Sequence, residues 1–551
     1  MRVDEASEHK EQVEQRTCAD WKALIAVLAI AVALRVLLLF SGQQYLRSDE
    51  AVVGLMAKHI VTRGELPLFL YGQPYGGGHA IVAYVAAPLF ALFGRSAVLL
   101  TAISAAVSVV NVWLVWRILR KYFSRTAAVL GSILYATSPP VVYGAFLVNG
   151  GTESFCLALL ALTFFLQAYM DDDGPLRNAA LAGIFGGLAY YAMDYALLYP
   201  IGFGILWLFT GGKNKWRCIG GLIGGFLAGC LPLIVYNLTH DFAHLRHIFR
   251  NPAGPSVGFI EHFFGALAHA LTEGLPAFFA GAIDDYAPAT AWSWFHTALA
   301  LVALVVLVYT QRGALFKTLR GISFYGSRAT PLPPALWPVF FVALYMAMYG
   351  AAKFSLTPFR TPRYFLPLCP FVSMAIAAAV VQWRGATERR LACAVTLILA
   401  AGSAVSAYAV VSLPWHEEHR VRTHGEQLEL VGRWLQDHNV EIAYAPYEIA
   451  WRLMFETDDR VLVSCEGFSP LPRYDYYIRE VRRRAEEGKP FALVARRDFA
   501  FVALGGGLNA GPELAASFQQ SLRRKRLPAD PVFETEEFLV FYPLTLEAFR
   551  P

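Results

Sequence analysis

The stretch WKALIAVLAIAVALRVLLLF, residues 21–40, decides the class of fold. It is almost wholly apolar, and Arg35 is the one charge in its interior. About 20 helical residues cross a hydrocarbon core roughly 30 Å thick, so this stretch has the length of a membrane span. Similar blocks recur along the chain, at residues 96–116, 126–147, 153–170, 178–193, 195–210, 217–237, 292–310, 335–351, 364–383 and 391–413. We therefore predict an α-helical polytopic membrane protein with about 11 spans.

The composition supports membrane residence. Of 551 residues, 56% are hydrophobic and only 16% are charged, whereas soluble domains are about a quarter charged. The seven cysteines include no CxxC pair, which argues against a disulfide framework or a zinc site. The net charge of +5 is small and the basic residues lie mostly in short loops, so we predict no nucleic-acid partner.

The orientation of the spans depends on GHAIVAYVAAPLFALFG, residues 78–94. The apolar part, His79–Phe93, is short for a span and contains Pro88, which favours an interfacial helix. If it does not span, the loops with most Lys and Arg face the cytoplasm, as the positive-inside rule requires. Residues 1–20 are then a cytosolic tail and 21–413 the membrane domain. The outer face holds the long loops 41–94 and 238–291 and an extracytoplasmic domain at 414–551.

The C-terminal segment has the pattern of a small α/β domain. Helical patterns near 425–437 and 474–487 alternate with four short β-rich runs, at Val440–Ala445, Arg460–Ser464, Phe491–Ala495 and Phe538–Tyr542. Gly505-Gly506-Gly507 lacks the Lys-Ser/Thr that follows in a phosphate-binding loop, so we predict no nucleotide site.

Acidic residues at the outer ends of spans are the first candidates for chemistry. Asp49 and Glu50 open a helical pattern for which Ser48 is the predicted N-cap; the alternative is that both acids only start the helix. Glu153 and Asp194 lie at later outer junctions, where an unpaired carboxylate costs about 2–3 kcal/mol. The alternative there is a solvated acid, or one paired to a neighbour such as Lys353.

Two such acids that converge at one pocket can act together. One can take the proton of an acceptor hydroxyl while the other positions that hydroxyl or holds a divalent cation. If a metal is used, Asp49 and Glu153 are the predicted ligands, but no cofactor follows from the sequence.

Basic and aromatic residues on the same face complete the predicted site. The segment KFSLTPFRTPRYFLPLCP holds three cations suited to a phosphate, Lys353, Arg360 and Arg363, although basic side chains also snorkel at helix ends. The glycine-rich segment YGQPYGGGHA offers sugar-binding side chains, or simply an interfacial aromatic belt: Tyr71, Gln73, Tyr75 and His79. His262, in the second outer loop, is a further candidate.

These motifs resemble the C-type, polyprenyl-phosphate-dependent glycosyltransferases (the GT-C fold), which include the protein O-mannosyltransferases and the aminoarabinose transferases of lipid A. The segment RSDEAVVGLMAKHIVTRGELPLFLYGQPYGGG, residues 47–78, looks like the first outer loop of that superfamily. Its acidic motif falls on Asp49-Glu50, its second acidic position on Glu153, and its late Arg-Tyr-Leu-Leu-Pro motif on Arg363–Pro367. The chain departs from the family at Gly78-His79, where relatives often carry an acid.

The resemblance implies an inverting glycosyltransferase in the cell (inner) membrane. It would move a sugar from a polyprenyl-phosphate donor to a hydroxyl of a glycan, lipid or protein acceptor outside the cytoplasm. Asp49 would be the base or acceptor-binding acid, Glu153 would assist, and Arg363 and Lys353 would hold the phosphate.

Two other functions stay open from sequence alone. A lipid or solute transporter without catalysis would line a path with the same charges, but it needs polar residues in mid-span, where this chain has few. A membrane-embedded assembly partner would act mainly through the C-terminal domain. Deletion of the residues after Pro414 would abolish its role, whereas a transferase would partly survive.

Overall fold

The computed structural model describes residues 2–40, 46–171, 174–210, 214–250, 258–281, 289–321, 331–352, 362–383, 385–412, 420–466, 473–497, 519–520 and 522–549. The chain divides into two compact units. The first unit, the membrane unit, comprises Met1–Ser41 and Thr101–Leu413. The second unit, the loop–tail unit, comprises Gly42–Leu100 and Pro414–Pro551. Residues 42–100 thus belong to one unit with the C-terminal segment.

The described residues are mostly α-helical. In chain order the helices α1 to α22 are Arg2–Leu39, Ser48–Arg63, Gly77–Phe93, Ala97–Tyr122, Arg125–Thr137, Pro139–Gly144, Gly151–Met170, Pro175–Ala192, Leu198–Thr210, Lys215–Gly229, Leu231–Thr239, Ala243–Arg250, Phe259–His269, Leu275–Phe279, Ala291–Thr310, Arg312–Arg320, Trp337–Ala351, Cys369–Gln382, Ala386–Ser412, Arg420–Asp437, Tyr447–Thr457 and Asp475–Glu486. The strands β1 to β5 are Ile442–Tyr444, Leu462–Ser464, Phe491–Arg496, Phe533–Glu534 and Phe538–Leu544.

The predicted polytopic helical membrane fold is confirmed. Seven described helices are long and apolar enough to span a membrane, and α10 with α11, bent by 55°, makes an eighth if the pair is one span. The predicted block 126–147 is divided between α5 and α6, because Pro139 and Pro140 start a new helix after Ser138. The block at His79–Phe93 belongs to α3, whose 17 residues leave it shorter than the spans.

Helices α8 and α10 of the membrane unit pack with their backbones in direct contact. A Cβ atom built at Gly183 would lie 2.2 Å from the Leu222 carbonyl oxygen, and one at Gly225 would lie 2.1 Å from the Ala180 carbonyl oxygen. Gly187 and Gly229 meet the facing backbone in the same way. The glycines recur four residues apart on each helix, and such small-residue spacing lets membrane helices approach closely.

Arg35 is buried inside the membrane unit. Its terminal nitrogens donate to the Ala136 carbonyl oxygen and, at 3.0 Å, to the Ser108 hydroxyl. These bonds tie α1 to α4 and α5 and satisfy the terminal nitrogens of the one interior charge of the first span, whereas its buried Nε has no partner among the described residues.

The C-terminal segment carries the predicted small α/β fold. Its five-stranded sheet has the order β2-β1-β3-β5-β4, parallel where β1 pairs with β2 and β3 and antiparallel where β5 pairs with β3 and β4. The four predicted strands and two predicted helices are found within a few residues of their expected bounds. Helix α21 and strand β4 were not predicted. The Gly505–Gly507 triplet lies outside the described residues.

Candidate active site

Helix α2 presents the predicted acidic pair in its first turn. The N-cap is Arg47, and Ser48 is already helical, so the prediction of a Ser48 cap was wrong by one residue. Glu50 is buried, and its carboxylate accepts a hydrogen bond of 2.9 Å from the Arg47 backbone N–H. Glu50 therefore caps the helix, which is the structural role that the sequence had left open for this pair.

Asp49, beside it, is held by side chains of the C-terminal segment. Its Oδ1 atom accepts a hydrogen bond of 3.0 Å from Nη2 of Arg473 and another from the hydroxyl of Tyr447. Both bonds reach the same oxygen, and the side chain as a whole remains 41% exposed. Among the described residues, the Oδ2 atom receives no hydrogen bond and stays open to a ligand.

The glycine-rich loop extends this arrangement. The Gln73 amide satisfies its neighbours when its oxygen faces Arg473, where it accepts from Nη2 at 2.8 Å and from the Tyr75 hydroxyl at 3.2 Å. His79 lies at the start of α3, buried, with Nδ1 3.0 Å from the Gly76 carbonyl oxygen. The structure therefore brings Gln73 and Tyr75 close to the partner of Asp49.

Tyr71 belongs instead to a second cluster at the other end of α2. Its hydroxyl donates to Glu65 and lies 3.0 Å from Nδ1 of the fully buried His59, and its ring stacks on Tyr474 at 4.4 Å. Burial, together with the Glu65 carboxylate, raises the pKa of Tyr71, so this phenol stays protonated. The contacts account for Tyr71 without a sugar.

The same cluster fastens α2 to the C-terminal segment. Asp459 Oδ2 lies 3.1 Å from Lys58 Nζ and 3.3 Å from His59 Nε2, and the Tyr477 hydroxyl lies 2.9 Å from that Nε2. Burial of the Asp459 carboxyl opposes its charge, but the hydrogen bond to His59 and the Lys58 charge outweigh this and lower the pKa of Asp459. We call this set, Lys58, His59, Asp459 and Tyr477, the α2 clasp.

Glu153 lies in the first turn of α7, in the membrane unit. Its side chain is buried, and Oε1 accepts a hydrogen bond of 2.7 Å from Ser104. Its other oxygen, Oε2, is also buried, and it has no partner among the described residues. A buried carboxylate oxygen with no donor is costly, which makes Glu153 the most unusual acid of this unit.

A small, mostly apolar cavity adjoins the start of α7. Its volume is about 20 Å³, enough for roughly one water molecule. Asn149 and Thr152 line it, together with Asn111, whose Nδ2 donates to the Thr152 carbonyl oxygen at 3.0 Å. Glu153 itself does not line this cavity, although Thr152, its neighbour in the chain, does.

The remaining predicted site residues of the membrane unit are spread over several elements. Arg363 is exposed at the start of a short 3₁₀ helix, Pro362–Leu368, with its guanidinium carbon 5.5 Å from the centre of the Tyr364 ring. Asp194 is exposed and lies 3.9 Å from Nε2 of the buried His244. His262 is buried in α13, with Nε2 2.9 Å from the Ala352 carbonyl oxygen. Lys353 and Arg360 lie outside the described residues.

The described residues contain no group of three or more His, Cys, Asp or Glu side chains placed to share a metal ion. Asp49 and Glu153 belong to different units, and their predicted convergence and shared metal stay predictions.

Arg473 and Tyr447 are the residues that sequence reasoning missed. Both lie in the C-terminal segment, to which no role in the site was given. A local signal existed, because Arg473 opens the tyrosine-rich run RYDYY, but nothing in that run points to a helix 424 positions earlier.

Comparisons with known proteins agree with this architecture. Residues 79–237 match the model of the dolichyl-phosphate-mannose-protein mannosyltransferase family. No curated protein sequence matches the chain significantly.

Solved structures match over most of the chain. ArnT from Cupriavidus metallidurans bound to undecaprenyl phosphate aligns with a TM-score of 0.60 at 11% identity, over 96% of this chain and 99% of that one. The oligosaccharyltransferase of Archaeoglobus fulgidus in the apo form aligns with a TM-score of 0.53 at 12% identity, over 87% and 70%. The resemblance read from the sequence is confirmed, and the chain has the fold of the C-type membrane glycosyltransferases.

Proposed function

We propose that this protein is an inverting glycosyltransferase that moves a sugar from a polyprenyl-phosphate donor to an acceptor hydroxyl on the extracytoplasmic face of the cell membrane. The observation that carries the proposal is the carboxylate of Asp49, with one oxygen fixed by Arg473 and Tyr447 and the other without a hydrogen bond among the described residues. Support comes from the fold shared with ArnT, whose solved structure binds undecaprenyl phosphate.

The reaction is a single displacement at the anomeric carbon of the sugar. The acceptor oxygen attacks that carbon, the bond between the carbon and the phosphate oxygen breaks, and polyprenyl phosphate leaves with the bonding electrons. The hydroxyl proton passes to the open Oδ2 of Asp49, which acts as general base. Attack on the side opposite the leaving group inverts the configuration.

The other predicted residues take supporting roles. Glu153 orients the acceptor, and Arg363, with Lys353 and Arg360, binds the phosphate of the donor and then of the departing lipid.

The test is transfer by the purified full-length protein in detergent. It is given labelled polyprenyl-phosphate sugars and a membrane extract as acceptor source, and both labelled product and released lipid phosphate are measured. Loss of a general base costs about 10²–10⁴-fold, so we expect Asp49→Asn to reduce turnover by at least about 100-fold. Asp475→Asn, which changes an exposed acid in the first turn of α22, is the matched control and should keep wild-type turnover.

Two results would contradict the proposal. Wild-type turnover by a folded Asp49→Asn protein would remove Asp49 from the chemistry. Absence of transfer from every donor, together with no binding of undecaprenyl phosphate, would exclude a lipid-phosphate transferase. Where binding is seen, Arg363→Ala should weaken it by about 10-fold or more, because a charged hydrogen bond contributes about 1.5–3 kcal/mol.

A further inference from the structure

All three nitrogens of the Arg473 guanidinium donate hydrogen bonds, to Asp49 and to two side chains beside it. Nε donates to the Tyr447 hydroxyl at 2.6 Å, and Nη2 donates to Asp49 at 3.0 Å and to the Gln73 amide oxygen at 2.8 Å. Nη1 also donates to that amide oxygen. The chain of bonds runs from Arg473 through the Tyr447 hydroxyl to Asp49, because Tyr447 accepts from the arginine and donates to the carboxylate.

The charges in this set favour that direction of donation. Burial of the Arg473 side chain, which is only 4% exposed, opposes its charge. The Asp49 carboxylate and the Tyr447 hydroxyl outweigh that burial and raise the pKa of Arg473. Burial, with the Asp49 carboxylate, likewise raises the pKa of Tyr447, so its hydroxyl keeps the proton that it donates.

Attachment of α2 to the C-terminal segment does not depend on these bonds. The α2 clasp holds the far end of the helix, and in its middle a Cβ atom at Gly54 would lie 2.4 Å from the Phe455 ring of α21. A buried guanidinium is expensive to desolvate, and apolar packing serves attachment as well or better. The buried position of Arg473 is therefore explained by the hydrogen bond that it donates to the carboxylate of Asp49.

We infer that Arg473 and Tyr447 are positioning residues: they hold Oδ1 of Asp49 and so aim the open Oδ2 at the acceptor hydroxyl. The inference rests on the proposed function and deepens it, because it makes the C-terminal domain a working part of the site. Arg473 acts through Asp49 and not on the donor. A misplaced reacting group costs about 100-fold in rate for a shift near 1 Å, which sets the scale of the effect.

The test separates catalysis from binding in the full-length protein. We expect Arg473→Met to lower kcat by about 100-fold. The Kd for undecaprenyl phosphate should stay within about threefold of wild type, because Arg473 does not contact the phosphate in this scheme. Arg473→Lys keeps the charge without the planar fork and should recover about tenfold of that loss. Tyr447→Phe should lower kcat by about tenfold, the worth of one hydrogen bond to a charged group.

The matched control is Arg482→Ala in α22. Arg482 pairs with Glu466 at 3.1 Å on an exposed surface, so its removal should leave kcat within about twofold of wild type. Equal kcat in Arg473→Met and the control overturns the inference. So does a loss that lies wholly in the Kd for undecaprenyl phosphate, because Arg473 would then contact the phosphate itself.

The two proposals fail in different ways. If the wild type transfers no sugar, the proposed function fails, and the positioning role is judged by amide hydrogen exchange at residues 51–53 in the first turns of α2, because Ala51 is the first residue whose backbone N–H donates along this helix, to the Arg47 carbonyl oxygen. Faster exchange there in Arg473→Met than in Arg482→Ala, with unchanged exchange around the α2 clasp, supports it. Unchanged exchange at residues 51–53 overturns it.

Discussion

Glu153 gives a prediction in which stability and activity change in opposite directions. Its side chain is only 5% exposed, and Oε2 has no donor among the described residues. Placing a carboxylate inside a membrane protein costs about 2.5–3.5 kcal/mol on insertion scales. The one bond from Ser104, at 2.7 Å, returns about 1.5–3 kcal/mol, as hydrogen bonds to charged groups do. A net cost of about 0–2 kcal/mol remains in the wild type.

Glu153→Gln tests this balance because it keeps the length of the side chain and the oxygen that accepts from Ser104. It removes the charge and puts an amide nitrogen in place of one carboxylate oxygen. We expect the free energy of unfolding in detergent to rise by up to about 2 kcal/mol. Turnover should fall by about 10²–10⁴-fold if the carboxylate acts on the acceptor.

The control is Ser104→Ala, which removes the donor and leaves the acid. It should lower the free energy of unfolding by about 1–3 kcal/mol, because the buried carboxylate then loses its bond. Both variants are measured by denaturant unfolding followed by tryptophan fluorescence, with sugar transfer in parallel. A Glu153→Gln protein that loses about 2 kcal/mol and keeps its turnover would refute the reasoning, since Glu153 would then be a structural acid with an ordinary partner.

Two further predictions concern the two units separately. In the membrane unit, Gly225→Val forces apart α8 and α10 and should lower the free energy of unfolding by about 1–3 kcal/mol. Its control is Gly224→Val, where a Cβ meets nothing within 4 Å, and there the loss should be less than about 1 kcal/mol. Equal losses would contradict the backbone contact between the two helices. In the loop–tail unit, the pKa of Asp459 is lower in the folded than in the unfolded chain, so its ionised carboxylate stabilises the fold at pH values above the ordinary aspartate pKa of about 4. This stabilisation is lost as the pH falls through the pKa of Asp459 in the folded chain. Asp459→Asn should therefore be less stable at pH 7 and show a shallower loss of stability between pH 5 and 3, and parallel pH profiles would disprove the role of the α2 clasp.

The features predicted correctly from sequence are those with a local signal. Apolar length alone was enough to predict the seven long apolar helices, although it also gave about 11 spans where the described residues have seven or eight. Alternation in the short strands predicted most of the C-terminal sheet, and the order of residues at a helix start predicted an acid in the first turn of α2. Helix α21 was not predicted, although Glu448, Arg452 and Glu456 recur every four residues, the spacing of one helix face, between apolar residues that the structure buries.

Other features arise only from contacts between distant segments. The four close glycine contacts of α8 and α10 depend on which faces of the two helices meet, and Gly220 and Gly224, where a Cβ would meet nothing within 4 Å, look no different in the sequence. Glu50 and Asp49 are adjacent acidic residues in the first turn of the same helix, so the local sequence gives no reason to assign them different roles. The fold separates them: Glu50 turns back to cap its own helix, while Asp49 meets Arg473 from the far end of the chain.

That long-range contact changes how the assembly-partner hypothesis can be tested. Deleting the residues after Pro414 was expected to spare a transferase in part. The deletion would remove Arg473 and Tyr447 from Asp49, and it would strip Phe455 and the α2 clasp from the helix that carries Asp49. A transferase would then lose activity as completely as an assembly partner loses its role. The two hypotheses separate on point substitutions instead, because Asp49→Asn leaves the surface of the C-terminal domain intact. A partner protein should tolerate that change, and a transferase should not.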